Sequence, residues 1–230
     1  MVKATAMSYD VVIQRIESLA DPAAVAGMAR YGIAVKHAYG VSIPNLRALA
    51  KEIGRDHELA RQLWAKESRE TRILASMIDD WRQVDEGQLE GWVSDFADWE
   101  VCDQCCMNLI EKTPYAWEKA VAWSAREEEY VKRAGFVMMA RLAVGDKKAK
   151  DEQFLPFLPI IAREAADRRN FVKKAVNWAL RQIGKRSRVL NARSIAAARG
   201  IQQTASPVAK WVAADALREL TSEAVQKRLA

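Results

Sequence analysis

The chain is poor in the residues that build metal and redox centres. Three cysteines and two histidines occur in 230 residues. Cys102, Cys105 and Cys106 form a C-x-x-C-C cluster, but His37 and His57 lie far off in sequence and no second cysteine pair completes a tetrahedral set. On a helix, Cys102 and Cys106 are one turn apart and read as small buried hydrophobes. No metal and no organic cofactor is expected. No apolar run approaches ~18 residues, which argues against a transmembrane helix. The opening stretch MVKATAMSYDVVIQRIESLADP lacks a continuous apolar core, because Gln14, Arg15 and Glu17 interrupt it. A cytoplasmic monomer with no membrane partner is expected. Gly-rich phosphate loops, the G-x-G-x-x-G fingerprint and a nucleophilic serine elbow are all missing. So are alternating β-branched runs, and no Pro/Gly/Ser-rich linker divides the chain. One domain over residues 1–230 is expected.

What the sequence does contain is helical periodicity. Ala, Leu, Glu, Lys and Arg are abundant. In YGVSIPNLRALAKEIG, Ser42 is an N-cap, Pro44 lies in the first turn and Gly54 is a stop. Further helices are predicted to start at Thr113-Pro114 and near Ser206-Pro207, and one to end at Gly184. About a dozen helices, some pairs recurring at roughly 35–40 residues, predict an all-α, HEAT-like solenoid of stacked helix pairs. An irregular helical bundle is the alternative in the same class.

Charge is segregated. The formal net charge is +6, and the span from Arg168 to Arg193 holds nine Lys or Arg and no acid. Acid gathers elsewhere, as in SAREEEY from Ser124 to Tyr130. An anionic partner follows more from this distribution than from the total.

Three helices carry candidate chemistry. In NFVKKAVNWALRQIGK, Val172, Val176, Ala179 and Ile183 make a core stripe; Lys174, Trp178, Arg181 and Lys185 repeat about 200° away at ~100° per residue. A tryptophan among three cations points either to a ligand or to a neighbouring repeat. In EEEYVKRAGFVMMARLAVGDKK, Val131, Gly135, Met138 and Leu142 form the inner stripe. Arg133 lies opposite, where by itself it reads as a solvated surface residue. Gly135 costs about 1 kcal/mol against Ala in a helix, so it marks a close approach, of packing or of a ligand. In FADWEVCDQCCMNL, Trp99 and Asp103 share one helix face at i, i+4. A carboxylate there is a structural brace, or a charge facing a cationic species beside a tryptophan wall.

These residues resemble the AlkD-type family of DNA alkylation repair glycosylases, built from HEAT-like repeats. The resemblance runs from about Met28 to Lys185. MARYGIAVKHAYGVSIPNLR is similar to the family's N-terminal block, with Tyr31 as its aromatic. DWEVCD resembles its W-x-x-x-D element, YVKRAGFVMM the block with its active-site arginine, and FVKKAVNWALRQIGK the block with a second cleft tryptophan. Asp98 stands before Trp99 at a place where members of that family can carry another aromatic. The resemblance implies excision of N3- or N7-alkylated purines from double-stranded DNA, without a base-flipping pocket and across a concave basic face. It implies Asp103, Trp99, Arg133 and Trp178 as catalytic residues, and Tyr31, Lys132, Lys173, Lys174, Arg181, Lys185 and Arg186 as DNA contacts. A non-catalytic HEAT-like protein that binds damaged or distorted DNA is the alternative, and a protein–protein scaffold a third.

Overall fold

The computed structural model describes residues 7–33 and 37–229. Residues 1–6 of the opening stretch, 34–36 of the N-terminal block and 230 lie outside them. Among the described residues all regular structure is helical. None of their helices is long and apolar enough to cross a membrane. The chain divides into two compact units, Met1–Thr113 and Pro114–Ala230.

The first unit holds α1 (Tyr9–Ser18), α2 (Pro22–Met28), α3 (Ile43–Ile53), α4 (His57–Trp64), α5 (Arg69–Ile78), α6 (Glu86–Ser94) and α7 (Trp99–Asn108). Helix α3 begins and ends as its sequence predicts: the Ser42 hydroxyl accepts from the Asn45 amide, and Gly54 closes it at φ 79°. Helices α3, α5 and α7 pack in one row, with α4 against α5 and α1 against α4. Side chains tie one helix to another at a near-constant interval. Trp64 Nε1 donates to Asp95 Oδ2 at 2.8 Å, and Asn108 Nδ2 to Ser76 Oγ at 3.2 Å, spans of 31 and 32 residues.

The second unit holds α8 (Ala116–Ser124), α9 (Glu129–Gly145), α10 (Phe157–Glu164), α11 (Asn170–Gly184), α12 (Arg188–Gln202), α13 (Pro207–Leu220) and α14 (Glu223–Leu229). Helix α8 starts two residues later than the proline suggests, because Pro114 and Tyr115 form a turn. Helices α9, α11 and α13 make one row, and α8, α10 and α12 the row behind. Interval bonds recur here: Lys132 to Glu164 over 32 residues, Asn177 to the Val212 carbonyl over 35, Arg181 to Glu219 over 38.

Helix α11 keeps its predicted stripe, with Val172, Val176, Ala179 and Ile183 fully buried. Each of the two valines and the isoleucine contributes roughly 1.5–3 kcal/mol. Helix α9 differs from its predicted amphipathic form. Every residue from Val131 to Ala140 is buried, Lys132 and Arg133 included. The cause is position: α8 packs on one side of α9 and α11 on another. Arg133 is therefore not a solvated residue; its exposure is 6%. Gly135 supplies the close approach that its cost suggested. A Cβ there would overlap the Ser124 amide nitrogen and come within 2.8 Å of Ser124 Cα, so the end of α8 lies directly against α9.

Candidate functional site

In the first unit the chemistry centres on the start of α7. Asp98 caps that helix, its Oδ1 accepting from the amides of Glu100 at 2.8 Å and Val101 at 3.0 Å. The cap explains an aspartate where the resemblance leads one to expect an aromatic. Asp98 is 1% exposed, and burial pushes its pKa above the ordinary value despite the two amides.

Glu100 is held from the other side. Arg69 donates to both its carboxylate oxygens, at 2.7 and 2.8 Å, and also to Glu70 Oε1 and the Val41 carbonyl. Glu70, fully buried, accepts from the amides of Tyr39 and Gly40. Burial opposes the Arg69 charge, but Glu100 and Glu70 outweigh it and hold the guanidinium's pKa above its usual value. Bidentate Arg–carboxylate pairing of this kind fixes direction as well as distance. The network joins residues 37–41, α5 and the first turn of α7.

That turn presents Trp99 and Asp103. Trp99 is half-buried, and its Nε1 donates to the main-chain carbonyl of Tyr31 at 2.9 Å. Tyr31 itself is 72% exposed. Asp103 is half-buried one turn beyond Trp99 on the same helix face. The three cysteines point to packing: all are buried, and burial pushes the Cys105 thiol well above its ordinary value, away from the reactive thiolate. Among the described residues, no group of three His, Cys, Asp or Glu is arranged to hold a metal ion.

The second unit carries the remaining predicted residues. Arg133 Nη1 donates to the Phe171 carbonyl, in the first turn of α11, at 2.6 Å. Trp178, also on α11, is half-buried. The cations of the acid-free span are not all at liberty, because acids from outside that span reach them. Arg181 pairs with Glu219 and Asp215, and Lys185 with Glu219 at 2.5 Å. Burial opposes ionisation of Glu219, but Lys185 and Arg181 override it and lower its pKa. Arg186 spends two donors on the carbonyls of Ala143 and Ala149, and lies over the Phe154 ring at 4.5 Å. Lys132 is 6% exposed and bonds Glu164 at 2.9 Å, so it is a brace between α9 and α10 rather than a surface cation. Lys174 is exposed. Lys173 rests its ammonium 5.1 Å from the centroid of the Trp211 ring.

Sequence reasoning missed the Arg69–Glu70–Glu100 network, whose members are 31 residues apart at the extremes. It also missed Trp211, whose neighbours Val212, Ala213, Ala216 and Leu220 form a buried stripe that leaves the indole outside it. A third absentee is His57, whose Nδ1 meets the buried Asp79 carboxylate at 2.7 Å beside a cleft of about 420 Å³.

Rows of short helices, cross-tied at a repeat interval, define an α-helical repeat protein. One solved structure, described as a new family of proteins related to the HEAT-like repeat DNA glycosylases with affinity for branched DNA structures, covers 97% of this chain and 96% of its own. The TM-score is 0.79 at 19% identity, which establishes the HEAT-like fold. The chain belongs to the DNA alkylation repair enzyme family, whose sequence model matches residues 12–220. That match extends past the segment carrying the motifs and takes in α13. A designed armadillo repeat protein covers 90% of the chain at 16% identity, with a TM-score of 0.42. No curated protein matches.

Proposed function

We propose that the protein is a monofunctional DNA glycosylase that removes N3- or N7-alkylated purines from double-stranded DNA without a metal or organic cofactor. The observation that best supports this reading is the clamped start of α7, where Trp99 and Asp103 stand one turn apart with the indole tied to the Tyr31 carbonyl.

An alkylated purine of this kind carries a positive charge and departs readily. The demand on the protein lies at the sugar. As the C1′–N bond breaks, its electron pair goes to the purine, which leaves neutral, while positive charge grows on the sugar ring. A carboxylate at Asp103 stabilises that charge and takes a proton from the water that bonds to C1′. Trp99 offers a π face to the cationic sugar. The exposed Lys174 takes a phosphate of the DNA backbone. Such a scheme draws its selectivity from the charge of the lesion rather than from a pocket around a flipped base.

The test is release of free 7-methylguanine from a duplex that contains it. Wild type should release the base, and Asp103→Asn should lose most of the rate while keeping DNA affinity. Undiminished release by Asp103→Asn would sink the mechanism.

A second reading is favoured by the structural relative, which is described as having affinity for branched DNA. In it the chain binds distorted DNA without cutting. Salt-sensitive binding, falling steeply between ~50 and ~200 mM, with no base released by wild type, would select it.

A further inference from the structure

Trp211 stands apart from the other seven tryptophans. The rest are buried or half-buried, whereas Trp211 is 44% exposed. At that exposure the indole keeps ring surface open to a partner.

Its setting is rigid and cationic. Trp211 lies in the second turn of α13, whose start is capped by the Ser206 hydroxyl on the Ala209 amide. The next residue, Val212, is fully buried, and its carbonyl accepts from the buried Asn177 Nδ2 at 3.0 Å. The backbone that carries the indole is thus fixed to α11. Lys173, from the same helix α11, sets its ammonium 5.1 Å from the ring centroid. Lys174 and Lys210, the sequence neighbours of Lys173 and Trp211, are exposed. The nearest acid in sequence is Asp215, one turn further along α13, and it is held by Arg181 and Arg218. From Arg168 to Ala214 the chain has no acidic residue at all.

A fixed, exposed ring among lysines is how proteins hold an unstacked base: the ring supplies a π face and the cations take the adjoining phosphates. We infer that Trp211, with Lys173 against its ring, is a stacking platform for an unpaired base in DNA. The inference rests on DNA as the partner and adds to it a preference for DNA with exposed bases, such as forks and gaps. Neither the family motifs nor the candidate catalytic residues include Trp211.

The experiment compares wild type, Trp211→Ala and Trp211→Phe on a forked duplex and on an intact duplex of the same length, at one salt concentration, by fluorescence anisotropy. Trp211→Ala should bind the fork roughly five- to a hundredfold more weakly, the range that one stacked base supplies. Its affinity for the intact duplex should change less than about twofold, and Trp211→Phe should keep most of the fork affinity. Circular dichroism should show unchanged helicity, as expected for an exposed side chain. Equal fork affinity for Trp211→Ala and wild type overturns the inference, as does an equal loss on both DNAs; an untouched DNA affinity with loss of a protein partner overturns it too. If wild type binds neither DNA, the proposed function falls first and this inference with it.

Discussion

The indole N–H of Trp99 donates to the main-chain carbonyl of Tyr31 at 2.9 Å, across 68 residues of sequence. One bond therefore ties the candidate catalytic turn to the N-terminal block. It fixes the plane of a ring that, in the proposed chemistry, must face a developing cation.

Trp99→Phe isolates that bond. The replacement keeps an aromatic surface and removes the donor. A neutral hydrogen bond is worth about 0.5–1.5 kcal/mol, so base release should fall up to about tenfold. The melting temperature should move by only a few degrees. Single-turnover release measured beside thermal unfolding separates the two effects; release equal to wild type would show that the bond does not orient the ring.

Lys174 and Lys132 should behave in opposite ways. Lys174 is exposed, so Lys174→Ala should weaken DNA binding and make the salt dependence shallower by about one unit of slope. Lys132 is buried against Glu164. Lys132→Ala removes that bond and leaves Glu164 with Arg163 alone, and should cost about 1–3 kcal/mol of stability. Salt titrations of DNA affinity and chemical denaturation check the two arms.

The contrast between these lysines shows how far the sequence could be read. Helix α3 was legible to the residue, because Ser42 and Gly54 act locally. The core stripe of α11 was legible because period 3.6 is a property of one helix. Burial of α9 on every side was not, since it depends on which helices flank it. Nor was the pairing of Arg181 and Lys185 with Glu219: an acid-free stretch is acid-free only along the chain, and the fold brings acids to it from more than 30 residues away. Of the candidate site, the W-x-x-x-D spacing was plain. The cap and the arginine network that hold it were hidden, because their members are dispersed.

Gly135 and Gly200 should respond to alanine with opposite signs. At Gly135 the new methyl meets the backbone of Ser124, which cannot step aside, so Gly135→Ala should destabilise by about 1–3 kcal/mol. At Gly200, an exposed position of α12, a Cβ meets nothing within 4 Å. Gly200→Ala should stabilise by roughly 0.5–1 kcal/mol through helix propensity. Denaturant midpoints at constant slope report both.

Acid should loosen the α11–α13 contact through Glu219. Its folded pKa lies below the ordinary 4.5, because hydrogen bonds from Lys185 and Arg181 outweigh the effect of burial. A lowered carboxylate pKa means that the stabilisation is complete above about 4.5 and is lost as pH falls through the folded value. Melting temperatures from about pH 7 down to about pH 3 should therefore fall less steeply for Glu219→Gln than for wild type. Parallel curves would assign the acid sensitivity to other groups.

The cross-ties at 31 to 38 residues also bear on how the chain acquires its structure. Each joins a helix to another only 31 to 38 residues further along, so no tie waits on a distant part of the polypeptide. Short loops close at small entropic cost, and a helix pair emerging from the ribosome already has its neighbour available. Within the second unit, α9 can dock α11 before α13 has been synthesised. Growth one pair at a time follows.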